Sequence, residues 1–146
     1  MKSVTEDSYR TTIEEFNYYA SDFNKFIATH TDVFKTVNNA DAIVFKIVNN
    51  KHYKYYFESK HKAELIAPSQ LELLLSMQEE FDSADKSRFL SKVFVIKGNA
   101  PYDVPCMIYK YPFGKDDYES FSQRQLILLL NWKIDYNKNE INWDTF

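Results

Sequence analysis

Residues 42–58 carry the change of periodicity that most constrains the fold. "AIVFKIV" at 42–48 and "HYKYYFE" at 52–58 are rich in β-branched and aromatic residues and alternate with a period of two, which is typical of β-strands. Asn49, Asn50 and Lys51 separate the two segments. The sequence therefore predicts a β-hairpin, and the rest of the chain has to build a sheet around it.

Two turns can join these strands, and each sets a different register. A two-residue turn at Asn49-Asn50 places Ile47 opposite His52, whereas a three-residue loop places Ile47 opposite Tyr53. The second register makes one face wholly apolar, and it is the one we predict. It pairs three tyrosine or phenylalanine residues with three apolar residues of the first strand, as Ile47–Tyr53, Phe45–Tyr55 and Ile43–Phe57.

In the predicted register the opposite face of the hairpin is basic. Lys46 then lies directly opposite Lys54, and like charges in such a pair are destabilising unless an anion or an acidic partner is near. Residues 35–66 hold six lysines and three acidic residues. A solvated face with two splayed lysines is the simpler interpretation, and a positive binding surface is the alternative.

Helical periodicity is predicted in three segments. The first runs from about Ser8 to Thr29 on an apolar stripe, and the second opens at Pro68 with Ser69 and Glu72 as a capping box. The third is capped by Ser120 with Gln123 and continues to about Trp132. Within 126–134 the sequence does not distinguish a buried helix from a strand.

Two further strands are expected at 89–97 and 104–111, and the tail from Asp135 can form a small hairpin with its turn at 137–139. The element order is α-β-β-α-β-β-α. We therefore predict an α+β fold, a single domain over 1–146, with an antiparallel four-stranded sheet and helices packed on one face.

Composition excludes several classes of chemistry. The chain has two glycines, whereas phosphate-cradling loops need several, so the common nucleotide-dependent enzymes are not expected. A single cysteine among 146 residues excludes an internal disulfide. A net charge of −3 counts against a general polyanion binder. No apolar signal core and no apolar run of roughly 20 residues is present, so we expect a cytoplasmic protein without membrane contact.

Catalytic, metal and cofactor sites are not predicted. The three histidines lie far apart in sequence, and His30 sits where a helix should end. Asp116, Asp117 and Glu119 lack the pattern of a calcium loop and are placed near the N-terminus of the last helix. An enzyme built from scattered residues such as His52, Cys106 and Asp103 is the remaining catalytic hypothesis, with Cys106 otherwise a buried core thiol.

The predicted function is that of a non-catalytic protein-binding module, an inhibitor or adaptor whose partner is another protein with an acidic surface. Lysine outnumbers arginine 15 to 3, a bias of AT-rich coding that suggests a phage or mobile-element factor acting on a host protein. Homodimerisation is compatible with this function. Nucleic-acid or phosphate binding through the basic hairpin 43–62 is the alternative. The candidate binding residues are Lys46, His52, Lys54, Tyr56, Lys60, Lys62, Trp143 and Phe146.

Overall fold

The computed structural model of the protein describes residues 22–31, 35–36, 41–61, 63–98, 102 and 104–146. In chain order its elements are α1 (Asp22–His30), β1 (Lys35–Thr36), β2 (Asp41–Val48), β3 (Lys51–Lys60), α2 (Pro68–Asp82), β4 (Phe89–Lys97), β5 (Cys106–Tyr109), β6 (Tyr118–Phe121) and α3 (Gln123–Leu130). The class is α+β, as predicted. The predicted first helix is present over α1 and ends at His30, and its earlier part lies outside the described residues.

The β2–β3 hairpin has the two-residue turn, so the predicted three-residue register is wrong. Asn49 and Asn50 have φ angles of 53° and 63°, the positive pair that a tight hairpin turn requires and that asparagine tolerates. Ile47 is therefore paired with His52, and Phe45 with Lys54. The predicted Lys46–Lys54 pair does not exist, because Lys46 lies opposite Tyr53.

The sheet is mixed and larger than predicted. Its described strands follow the order β1-β2-β3-β4-β5-β6, and β3 pairs with β4 in parallel while the other neighbours are antiparallel. A parallel pair needs a crossover, which α2 supplies. Four consecutive residues of β4, Val93–Ile96, are buried. Such a continuous apolar run is typical of a strand covered on both faces.

Helices cover both faces of the sheet, whereas the sequence predicted one. On the first face, called here the core face, α1, α3 and the 132–146 segment pack against β2–β6 in the larger core cluster. Rings dominate this face: Phe57, for example, contacts Phe23, Tyr55 and Phe94 at centroid distances of 5.3–6.3 Å. On the second face, the α2 face, α2 packs against Val93, Val95 and Tyr109 in a smaller cluster.

The helix starts differ from the predicted caps. α2 begins at Pro68 as expected, but its N-cap is Ala67, which makes no side-chain hydrogen bond, so the Ser69–Glu72 box is wrong. α3 is capped by Ser122, whose hydroxyl accepts from Gln125 N–H at 3.1 Å, two residues later than predicted. The sequence left helix and strand open for 126–134, and the structure shows a helix up to Leu130.

The segment before α3 is a strand rather than a helix start. β6 occupies 118–121, and three of its four side chains are exposed, so it lacks the alternation that would have identified it. Glu119 lies in this strand, and Asp117 accepts a hydrogen bond from Gly114 N–H at 2.8 Å. Their predicted position at a helix N-terminus is wrong. The predicted tail turn is present, with a bridge between Ile134 and Glu140.

Candidate functional site

The predicted binding residues do not form one surface. Those within the described part of the chain are distributed over four places, and Lys62 lies outside the described residues. The reason is geometric: alternate residues of β3 point to opposite faces of the sheet, and both faces are partly covered.

Lys46, Trp143 and Phe146 meet at Tyr53 on the core face. The Tyr53 ring stacks on Phe146 at 5.4 Å and meets Trp143 edge-on at 5.1 Å. The Tyr53 hydroxyl donates to the Phe146 carbonyl oxygen at 3.2 Å, and the Lys46 ammonium lies 5.4 Å from the Trp143 ring centre. These contacts hold the 143–146 segment against the sheet. The side chains of Trp143 and Phe146 are therefore half-buried and pack against the core.

Lys54 and Tyr56 lie on the α2 face. The Lys54 ammonium is 4.6 Å from the centre of the Phe81 ring, a cation–π contact that holds the lysine against the helix. Tyr56 is half-buried in the cluster beneath α2. Neither side chain is freely solvated as the sequence suggested.

Lys60 is engaged in an ion-pair network at the far end of β3. Its ammonium lies 3.5 Å from Glu64 and 3.9 Å from Glu58. Glu58 is buried and accepts a hydrogen bond from the Gln70 amide at 2.8 Å. A backbone N–H bond from His61, and then the charge of Lys60, hold the pKa of Glu64 below its usual range. Lys60 is thus a structural partner of this network.

His52 is exposed and belongs to a row of paired residues that the predicted register did not identify. Ile47, His52 and Phe89 are paired side by side across β2, β3 and β4 on the α2 face, and we call them the exposed row. Ile47 is 55% exposed and Phe89 is 37% exposed. The Arg88 guanidinium lies 5.3 Å from the centre of the Phe89 ring. Ile47 was missed because the wrong turn length assigned it to the core, and Phe89 was missed because the parallel pairing of β3 with β4 was not predicted.

A cleft of about 350 Å³ opens beside the first half of β4, and we call it the β4 cleft. β5 pairs with β4 only over Val95–Lys97, so on the side of β4 away from β3 no described strand pairs with residues 89–94. The cleft is lined from both faces of the sheet, by Tyr55, Gln78, Asp82, Leu90, Lys92, Val93, Phe94, Lys110, Tyr111, Asp135, Tyr136, Asn137 and Phe146. Its charged residues come from four distant segments, which no sequence spacing connects.

The Gln78 side chain takes the place of the missing strand at one point of this cleft. Its Oε1 accepts from Val93 N–H at 2.7 Å, and its Nε2 donates to the Ser91 carbonyl at 3.2 Å and to Asp82 at 3.0 Å. One amide that bonds residues 91 and 93 reproduces the pattern of a parallel β-neighbour. Gln78 thereby gives a partner to the buried Val93 N–H and to the partly buried Ser91 carbonyl.

Of the three residues in the catalytic hypothesis, the structure describes Cys106 and His52 and does not bring them together. Cys106 is buried on the core face, and burial raises the pKa of its thiol to about 12, so a thiolate is disfavoured at neutral pH. His52 lies on the other face of the sheet, and Asp103 is outside the described residues. Within the residues that the structure describes, no group of three or more His, Cys, Asp or Glu side chains could hold a metal ion.

Over the same described ranges, no helix has the length and apolar character needed to cross a bilayer. No protein-family model, no curated protein and no solved structure matches the chain.

Proposed function

We propose that the protein is a non-catalytic protein-binding module whose exposed row docks on an acidic surface of another protein. The observation that carries the proposal is the row itself: Ile47 and Phe89 are large apolar residues exposed on regular strands, with the His52 ring between them at 5.4 Å from Phe89. Apolar and aromatic groups surrounded by polar residues are typical of the centre of an interface.

The charges around the row favour an acidic partner. Arg88 borders Phe89, and Lys54 follows His52 by two residues on the same face of β3. Ion pairs found among the described residues involve Lys60 and neither of these two cations. Asp85, the acidic residue of the adjoining loop, accepts from the Ser87 hydroxyl at 2.7 Å. Complementary charge would steer an acidic surface towards the row and fix its orientation.

An inhibitor that occupies a host protein's surface is the specific form of this proposal. It rests on the exposed row together with the sequence bias that suggests a phage or mobile element. An adaptor would use the same surface without blocking a partner's activity. Both forms require the row to be free and to carry the binding energy.

The test compares two exposed apolar residues on different elements. Ile47→Glu changes the exposed row, and Leu73→Glu makes the same kind of change on the exposed side of α2, where Leu73 is 58% exposed. Tagged wild-type protein and both variants are incubated with extract of the native host, and captured proteins are quantified by mass spectrometry.

We expect wild type and Leu73→Glu to retain the same partner and Ile47→Glu to lose at least about tenfold of it, as for a central interface residue. Arg88→Glu should weaken capture further as salt is lowered, because repulsion is then less screened. Equal capture by wild type and Ile47→Glu would sink the proposal. Light scattering of the purified protein separates a second copy of this chain from a different partner.

Nucleic-acid or phosphate binding by 43–62 is the alternative function. The exposed His52 and Phe89 rings beside Arg88 could stack on one base, but Tyr53, Tyr55 and Phe57 are buried and cannot extend a stacking surface. A short single-stranded oligonucleotide titrated at low salt tests this alternative. Salt-sensitive binding that is lost in Arg88→Glu and kept in Leu73→Glu would favour it over the protein partner.

A further inference from the structure

We propose that the β4 cleft binds a zwitterionic small molecule of the α-amino-acid class with an apolar side chain. The proposal concerns a different part of the molecule from the exposed row and does not depend on it. The cleft volume of about 350 Å³ lies at the lower end of the range for ligand pockets and suits a small ligand.

Both signs of charge line the cleft without pairing with each other. Lys92 and Lys110 supply two cations, and Asp82 and Asp135 supply two anions. Across the described residues the only ion pairs within 4.0 Å are those of Lys60, so these four groups are not neutralised by direct contact. A ligand that carries one ammonium and one carboxylate would bridge them and complete both sets of charge-assisted bonds.

A hydroxyl without a hydrogen-bond partner lies in the wall of the same cleft. Tyr55 is only 2% exposed and lines the cleft, and its hydroxyl makes none of the hydrogen bonds found among the described residues. The one fully enclosed side-chain polar atom without a partner in the described part of the chain is Trp132 Nε1. The Tyr55 hydroxyl therefore reaches the cleft, where a ligand can bond to it.

Tyr55 and Asp135 are held in place before any ligand arrives. The Tyr55 ring stacks on Trp132 at 4.1 Å and meets Phe94 edge-on at 5.1 Å. One Asp135 carboxylate oxygen accepts from Asn139 N–H at 3.0 Å, which leaves the other oxygen available. Burial and then the charge of Asp135 raise the pKa of Tyr55, so the two groups interact electrostatically. Such fixed groups lose little entropy on binding.

The arrangement suggests how the ligand is oriented. The ammonium would lie between the free Asp135 oxygen and the Tyr55 hydroxyl, and the carboxylate would face Lys92 and Lys110. The Lys110 ammonium lies 5.6 Å from the Tyr136 ring centre, and that ring stacks on Phe94 at 5.2 Å. Apolar and aromatic walls of this kind favour an apolar ligand side chain.

Isothermal titration calorimetry with three matched probes tests the requirement for both charges. L-Phenylalanine carries both, 3-phenylpropionate lacks the ammonium, and phenethylamine lacks the carboxylate. We expect L-phenylalanine to bind and each singly charged probe to bind at least about tenfold more weakly. Absence of binding by L-phenylalanine, or equal binding of all three probes, would overturn the proposal.

Variants then locate the binding in the cleft. Asp135→Asn keeps the acceptor for Asn139 and should weaken L-phenylalanine about tenfold, whereas the exposed Asp144→Asn should have no effect. Lys110→Met should weaken it as well, and the loop variant Lys86→Met should not. Unchanged affinity in both cleft variants would also overturn the proposal. If Asp135→Asn does not fold, as judged by circular dichroism, Tyr55→Phe and Lys110→Met decide the result.

Discussion

Strand β3 alternates aromatic residues with histidine and lysine over residues 52–55, and its two faces lie in different environments. On the core face Tyr53, Tyr55 and Phe57 are buried among the rings of α1, β4 and the 132–146 segment. On the α2 face His52 is exposed, Lys54 lies over Phe81, and Tyr56 is half-buried. The difference shows that aromatic residues between lysines do not by themselves make a binding face. What decides is which element covers each side of the sheet.

The largest expected effect contrasts two phenylalanines, one on each face. Phe57 is 0% exposed and contacts three other rings, so Phe57→Ala should lower the free energy of unfolding by about 3–5 kcal/mol. Phe89 is 37% exposed, so Phe89→Ala should cost about 1 kcal/mol or less. Urea unfolding followed by circular dichroism measures both. Similar losses in the two variants would contradict the burial of Phe57 and the exposure of Phe89.

The α2 face depends on one buried polar group as well as on apolar contacts. Gln78→Met keeps the length of the side chain and removes the bonds to Val93 N–H and the Ser91 carbonyl. Leaving the buried Val93 N–H and the partly buried Ser91 carbonyl unsatisfied should cost about 1–3 kcal/mol, whereas the exposed Glu72→Gln on the same helix should be neutral. Amide hydrogen exchange at Val93 gives a local measurement. Slow exchange of the Val93 amide hydrogen in Gln78→Met would show that Gln78 does not protect this edge of β4 from solvent.

The core face should also respond to alkaline pH through Cys106. Burial raises the pKa of the thiol to about 12 from 9.0. Between these values the unfolded chain releases a proton that the folded chain keeps, so the free energy of unfolding falls as pH rises from about 9 to about 12. Below about pH 9 this contribution is constant.

Cys106→Ala isolates the effect of the thiol. The variant loses packing at every pH, so the informative quantity is the slope of stability against pH in urea melts of both proteins. That slope should be shallower in Cys106→Ala above about pH 9. Equal slopes would mean that the thiol is already ionised or accessible in the folded protein.

The sequence predicted the positions of the strands better than it predicted how they pair. β2, β3 and β4 were located by alternation and composition, because these signals are local. The register failed because it assumed one solvated face, and matching apolar residues on a single face then favoured the longer turn. With α2 covering the other face, Phe45 and Ile43 need not share a side with Tyr53. The positive φ angles that Asn49 and Asn50 accept were the better guide.

The pairing of β3 with β4 and the two candidate sites could not be predicted in the same way. The run Val93–Ile96 does indicate a strand covered on both faces, and it was the available sign of a parallel neighbour. The exposed row depends on this pairing, since it joins Phe89 to His52. The β4 cleft depends on where β5 leaves β4 and on side chains from distant segments such as Tyr55, Lys110 and Asp135. These are properties of topology, which the local pattern does not encode.

The smallest expected effect is on stability at the exposed row. Ile47 is more than half exposed and its neighbour His52 is also exposed, so Ile47→Glu should change the free energy of unfolding by about 0.5 kcal/mol or less. Phe45, two residues earlier on the same face of β2, is half-buried beside Lys54, and Phe45→Glu should cost several times more because it places a charge in a partly covered site. Urea melts of both variants measure this difference. A large loss in Ile47→Glu would mean that the residue packs against part of the chain itself, and the exposed row would then be a structural contact instead of a surface for a partner.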